Sequence, residues 1–127
     1  MCLTSRRKTA KVATEDIVVY KVLINRKGGL VSPFQLKPYT LGITEDNTET
    51  MVTPQQNSKN YIVSKGLLHS FMYEKEATDC MLYLNVTFGE KHCICKCIIP
   101  KGTPYYEGMG SMGYSFASKK LNLVEII

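Results

Sequence analysis

The sequence predicts an α+β fold: a single small domain with a mainly antiparallel sheet of about five strands and one main helix. Three observations lead there. IVVYKVLI at residues 17–24 and KLNLVEII at 120–127 are rich in β-branched residues, the composition of strands. HCICKCII at 92–99 places its cysteines at every second position, the period of a strand. In contrast, YEKEATDCMLYL at 73–84 sets Ala77, Cys80, Met81 and Leu84 at helical spacing, with Glu74, Lys75, Glu76 and Asp79 left for the water-facing side. One helix among several strands of this kind points to an α+β domain with an antiparallel sheet.

Taken in order, the chain opens with a basic flexible arm, residues 1–13, ahead of a folded domain spanning 14–127. In the first strand, Val18, Tyr20, Val22 and Ile24 share one face. NRKGG then turns the chain, and LVSPFQL at 30–36 returns as a second strand, which Pro33 confines to an edge or cuts short because proline has no amide to donate. Residues 37–60 are polar without either period and read as a long surface loop, a candidate ligand or partner surface. YIVSKGLLHSF at 61–71 is a short strand, a break at Gly66 and a second apolar step. Ser70 is the candidate cap of the helix, whose acidic residues cluster at the amino end as the dipole favours. TFGEKH turns into the cysteine strand, Pro100-Lys101-Gly102-Thr103 ends it, and GMGSMG forms a flexible loop before the last strand.

Cys93, Cys95 and Cys97 recur on one side of a strand about 6.6 Å apart. A tetrahedral zinc ion needs its sulfurs roughly 3.8 Å from one another, at about 2.3 Å from the metal, so the spacing argues against a metal site. No C-x-x-C occurs, and Cys2 and Cys80 stand alone in the sequence. The expectation is a row of small apolar residues, with Ile99, on the buried face of a central strand. Adjacent strand residues point to opposite faces, so His92 cannot activate Cys93 directly. No metal and no cofactor is expected.

A chain of 127 residues buries roughly two-thirds of its unfolded surface, enough for a core without staples. With 44% hydrophobic and 21% charged residues the composition excludes disordered and collagen-like classes. There is no apolar run long enough for a membrane helix and no apolar segment behind the first basic residues, so the expected location is the cytoplasm, of a bacterium or an infected host cell, with no membrane partner. The net charge of +5 is concentrated in Arg6, Arg7, Lys8 and Lys11, which suits weak nucleic-acid contact through phosphates. Edges at Pro33 and at the last strand are the surfaces through which a homo-oligomer would pair.

The glycines of EGMGSMG lack the lysine and helix of a phosphate loop and mark a hairpin tip. His69 and Ser70 are candidate polar groups of a site. Tyr105, Tyr106 and Tyr114 surround the glycine loop and offer a stacking face with a hydroxyl, suited to a nucleobase or a protein partner.

Two resemblances follow. KCIIPKGTPYYEG and YSFAS, with GLLHSF upstream, resemble small proteins of gut bacteria and their phages over the carboxy-terminal half, which implies a phage or mobile-element accessory role. More loosely, GLLHSFMYEKEA, CICKCIIPKGTPYY and SKKLNLVEI are similar in order to the ADP-ribosyltransferase fold. Those enzymes place a glutamate at the start of a late strand, where this chain has Ala117-Ser118-Lys119-Lys120, and an arginine or histidine where it has Tyr20-Lys21. That resemblance implies a vestigial nucleotide cleft around Tyr20, His69, Ser70 and Tyr114, with no catalytic residues. The expected function is a non-enzymatic phage or mobile-element binding protein, with an anti-defence role, holding an anionic nucleotide-like small molecule or a host protein. The alternatives are a divergent or degenerate ADP-ribosyltransferase-like enzyme and a virion structural component.

Overall fold

The computed structural model describes residues 3–27, 29–33, 36–110 and 113–127. In chain order its elements are β1 (Leu3–Ser5), β2 (Lys11–Val12), β3 (Ile17–Arg26), β4 (Gly29–Val31), β5 (Pro38–Tyr39), β6 (Gly42–Glu45), β7 (Met51–Pro54), β8 (Tyr61–Lys65), β9 (Leu68–Phe71), α1 (Glu74–Phe88), β10 (His92–Ile99), β11 (Pro104–Gly110), β12 (Gly113–Ser118) and β13 (Lys120–Ile126). The expectation of an α+β domain with about five strands is therefore corrected. The fold is mostly β: thirteen strands joined in one antiparallel sheet, with one helix among the described residues. The long strands stand where their composition placed them. The additional strands are two to seven residues long, and most are too short to show a period of their own.

Those short strands occupy two stretches read from sequence as unstructured. Within residues 37–60 lie β5, β6 and β7, paired respectively with β4, β13 and β8. Within the basic arm, β1 is sandwiched between β11 and β8 and β2 pairs with β11. The strand expected over 30–36 is present as β4 at Gly29–Val31, and Phe34 and Gln35 lie outside the described residues. The GMGSMG loop is largely strand: Gly108 to Gly110 end β11 and Gly113 starts β12, in register Gly110 opposite Gly113, with Ser111 and Met112 outside the described residues.

The sheet runs β6-β13-β10-β3-β9-β12-β11-β1-β8-β7. β3 is the pivot. Along one edge it pairs with β10 from Ile17 to Ile24. Along the other it meets β9 only at Tyr20 opposite Phe71, then β4 from Ile24 to Arg26. Residues 21–23 therefore have no ladder partner on that side among the described residues. Both β9 and β10 run antiparallel to β3 and so parallel to each other, which requires a crossover; α1 supplies it.

The helix starts at Glu74 with Tyr73 as its N-cap and no side-chain cap, so Ser70, the expected cap, is a strand residue instead. Glu74 and Glu76 sit in the first turn, where the helix dipole favours anions. It continues past residue 84 to Phe88 and stops at Gly89, whose amide donates to Asn85 O at 3.1 Å. Ala77, Cys80 and Leu84 pack on Val22, Phe71 and Ile94. Burying a leucine of this kind contributes about 2 kcal/mol.

The opposite face of the sheet buries the larger cluster: Val19 and Leu23 of β3, Cys93, Cys95, Cys97 and Ile99 of β10, Leu68, Phe116, Leu121 and Leu123, with Leu30 and Tyr39 from β4 and β5. Cys95, Cys97 and Ile99 are completely buried and Cys93 nearly so, one row on one face. Both faces of β3 are covered, which explains its near-continuous apolar run. A third cluster joins Leu3 of β1 to Val63, Leu67, Tyr106 and Ala117, and it ties the first residues of the chain to the sheet.

Candidate functional site

Two openings hold five of the six residues singled out from sequence, and they are separate. The first is a cavity of about 70 Å³ beside the unpaired stretch of β3. His69 and Ser70 line it with Lys21 and Val22 of β3, Tyr39 of β5, Ser32, and Phe71, Cys80 and Leu84 from the β9 and α1 side. The second is a groove of about 650 Å³ lined by Tyr105, Tyr106 and Tyr114 together with Arg6, Arg7 and Lys11. Tyr20 belongs to neither: it packs against the helix cluster, opposite Phe71.

The cavity follows from how β3 is paired. A strand edge without a ladder leaves backbone groups to be satisfied otherwise. Lys21, in the middle of the apolar run, folds its chain among Val19, Leu23 and the cysteine row, and its ammonium donates to the carbonyl of His69 across the seam at 2.5 Å. It also lies 5.0 Å from the centre of the Tyr39 ring, a cation–π distance. Lys21 is 7% exposed, and among the described residues no carboxylate lies within 4.0 Å of it. Burial therefore lowers its pKa from 10.5 to about 8, only partly offset by the Cys97 and Cys95 thiols. Burial and then the Lys21 charge hold the His69 imidazole down near 3, so His69 is neutral at physiological pH. Ser70 is 3% exposed and its hydroxyl has no hydrogen-bond partner among the described residues.

The other histidine is structural. His92 is buried, its backbone amide donates to Asn85 Oδ1 at 2.7 Å, and its ring Nδ1 faces Asn85 Oδ1 at 3.0 Å and Glu90 O at 2.8 Å. Both neighbours are acceptors, so Nδ1 carries the proton. The cysteine row is equally occupied with packing. Burial pushes the Cys97 thiol up to about 12 and that of Cys80, in α1, to about 11. Cys93 is the exception: a hydrogen bond from the Cys95 thiol lowers it to about 7 and correspondingly raises Cys95.

The groove is built by the chain's first residues crossing β11. β1 pairs with it at Met109 and Gly108, and β2 pairs at Tyr105 and Pro104; the residues between them arch over Tyr106 and Glu107. Gly108 permits the crossing: a Cβ there would stand 1.9 Å from the carbonyl oxygen of Thr4. The Tyr106 hydroxyl donates to Lys8 O at 3.1 Å and pins the arch. Tyr105 and Tyr114 flank Phe116 edge to face, with ring centroids 5.7 and 6.5 Å away. Glu107 is neutralised in place by an ion pair with Lys11 and accepts from the Tyr114 hydroxyl at 3.2 Å. Arg6 and Arg7 are exposed and, among the described residues, have no carboxylate partner. The groove thus presents beside its tyrosine rings two guanidiniums that no carboxylate pairs among the described residues, Arg7 Nε donating to Thr9 O at 3.5 Å.

Sequence reasoning separated the basic arm from the tyrosines, although the fold brings them together. It also missed Lys21 and Tyr39. The signal for Lys21 was present: its neighbours two residues away, Val19 and Leu23, are both apolar, so a charge stands on an apolar face. Among the described residues no group of three or more His, Cys, Asp or Glu could hold a metal ion, and no helix is long and apolar enough to cross a membrane. Comparison with known proteins finds no matching family model, no similar curated protein and no matching solved structure.

Proposed function

We propose that the protein is a non-enzymatic binding protein that holds an anionic, nucleotide-like ligand in the groove over β11. The single observation that carries this reading is the convergence of Tyr105, Tyr106 and Tyr114 with Arg6, Arg7 and Lys11 on one opening of about 650 Å³. That volume lies within the roughly 300–1,000 Å³ of small-molecule sites. Guanidiniums bind phosphate oxygens in a bidentate fork, and a tyrosine ring offers a flat apolar face to a base together with a polar edge. Glu107, paired with Lys11 and Tyr114, orients the tyrosine and leaves the two arginines as the groove's positive charge. The resemblance of the carboxy-terminal half to small proteins of gut bacteria and their phages supports an accessory role in a mobile element, exercised by occupancy of the ligand.

The test is a thermal-shift panel of mononucleotides, dinucleotides and cyclic nucleotides at low and moderate salt. A nucleotide raises the midpoint of the wild type, the shift shrinks with salt because the contact is electrostatic, and Arg6→Ala with Arg7→Ala abolishes it without lowering the midpoint of the free protein. A flat response across the panel removes the proposal.

A further inference from the structure

We propose that the cavity beside β3 is a second, independent binding site, for a small carboxylate of about acetate size, held by the Lys21 ammonium and the Ser70 hydroxyl. Three features argue for it. Lys21 gives one of its three N–H donors to His69 O, and the other two have no partner among the described residues. Buried charges are paired, yet no carboxylate of the described chain reaches this one. The Ser70 hydroxyl lines the same cavity, buried and unsatisfied, and an orphaned buried hydroxyl calls for a ligand or water. Two of the remaining polar neighbours are already engaged: Ser32 Oγ accepts from the Lys37 amide at 2.9 Å and Ser115 Oγ donates to Gly113 O at 3.1 Å; His69 and Tyr39 complete the polar lining.

The walls fix the chemical class. Besides the amine and hydroxyl, the lining includes the apolar side chains of Val22, Phe71 and Leu84, so the ligand has one anionic end and one apolar end. Inorganic phosphate would leave most of its acceptors against hydrocarbon, an unfavourable burial. A cavity of about 70 Å³ is roughly half of the ~150 Å³ that admits benzene, which selects a molecule of about four heavy atoms and excludes a nucleoside. The nucleotide groove is lined by other residues, so failure of either site leaves the other untouched. The lowered pKa of Lys21 still leaves the amine mostly charged at neutral pH.

The experiment titrates acetate into isotopically labelled wild-type protein, with acetamide as the neutral isostere and chloride as the ionic-strength control. Methyl signals of Val22 and Leu84 and the Lys21 ammonium nitrogen are followed by NMR. Saturable shifts at all three with acetate, and none with acetamide or chloride, are expected. Ser70→Ala weakens binding about tenfold or more, the value of one hydrogen bond to a charged group, and Lys21→Met weakens it further. Equal responses to acetate and acetamide, no saturable response to acetate, or unchanged affinity in Lys21→Met each overturn the proposal. So does labelling of Lys21 by a small aldehyde and cyanoborohydride that acetate fails to inhibit, which would make the residue an imine-forming amine in an otherwise unoccupied cavity. The ammonium readout needs no variant and stands even where Lys21→Met does not fold.

Discussion

Replacing Lys21 by methionine keeps the unbranched side chain as far as Cε and removes the ammonium, and the structure fixes how the effect depends on pH. The folded-state pKa is lowered from 10.5 to about 8 by burial, a difference of about 3 kcal/mol between the two protonation states. Below about pH 8 both folded and unfolded chains hold the proton, and the folded state bears the whole penalty. Between about 8 and 10.5 the folded amine has released its proton while the unfolded amine has not, so stability rises with pH. Linkage gives a gain of about 1.3 kcal/mol for the wild type relative to Lys21→Met between pH 7 and pH 9. At neutral pH the variant escapes the penalty but orphans the His69 carbonyl at a cost of about 1–3 kcal/mol, so the two proteins are then nearly equal in stability. Urea unfolding followed by circular dichroism, in reductant and in carboxylate-free buffer, reads the difference directly. Groups common to both proteins cancel. Stability curves that run parallel from pH 7 to 9 would refute the placement of this ammonium in a dry interior.

Three further outcomes are expected. Gly108→Ala places a methyl 1.9 Å from Thr4 O, so β1 must move off β11; a loss of about 3 kcal/mol in urea stability, by analogy with overpacked interiors, should come with loss of groove binding, and a stable variant with intact binding counts against the crossing described. Tyr106→Phe removes the bond to Lys8 O and should reduce stability by about 1 kcal/mol, with faster amide exchange confined to residues 6–10. The Cys97 thiol, raised to about 12 by burial, contributes stability that is complete below its unfolded pKa near 9 and is lost as pH rises from there towards 12; Cys97→Ala should therefore flatten the alkaline decline of the unfolding free energy by about 1.4 kcal/mol per pH unit, and an unchanged slope would show that this thiol ionises freely in the folded state.

How much was legible can be argued from single elements. β3, β10 and β13 announce themselves because seven to ten residues with β-branched or alternating composition carry a period. α1 is readable from Ala77, Cys80 and Leu84, which meet Val22, Phe71 and Ile94 as their spacing requires. β1 and β2 are not readable: three residues and two residues have no pattern, and they are strands because β11 and β8 hold them. β6 and β7 are short edge strands with largely exposed side chains, so their polar composition masks their pairing. Ser70 is a plausible helix cap by type, yet pairing with Phe116 keeps it in a strand and buries its hydroxyl. The candidate site was half visible. His69 and Ser70 are contiguous and the three tyrosines are alike in type and close in sequence, but only the register of β11 against β1 and β2 says that Arg6 and Tyr105 share an opening.

Among the described residues a single rung between β3 and β9 joins two sets of strand ladders, with β6, β13, β10 and β3 on one side and β9, β12, β11, β1, β8 and β7 on the other. What holds the parts together across that seam is mostly side-chain packing, which is non-directional and yields to sliding more easily than a ladder does. A molecule bridging Lys21 and Ser70 would thus act as a mechanical fastener. Pulled apart from opposite edges, the protein should give way first at this seam, at a force that its occupant sets.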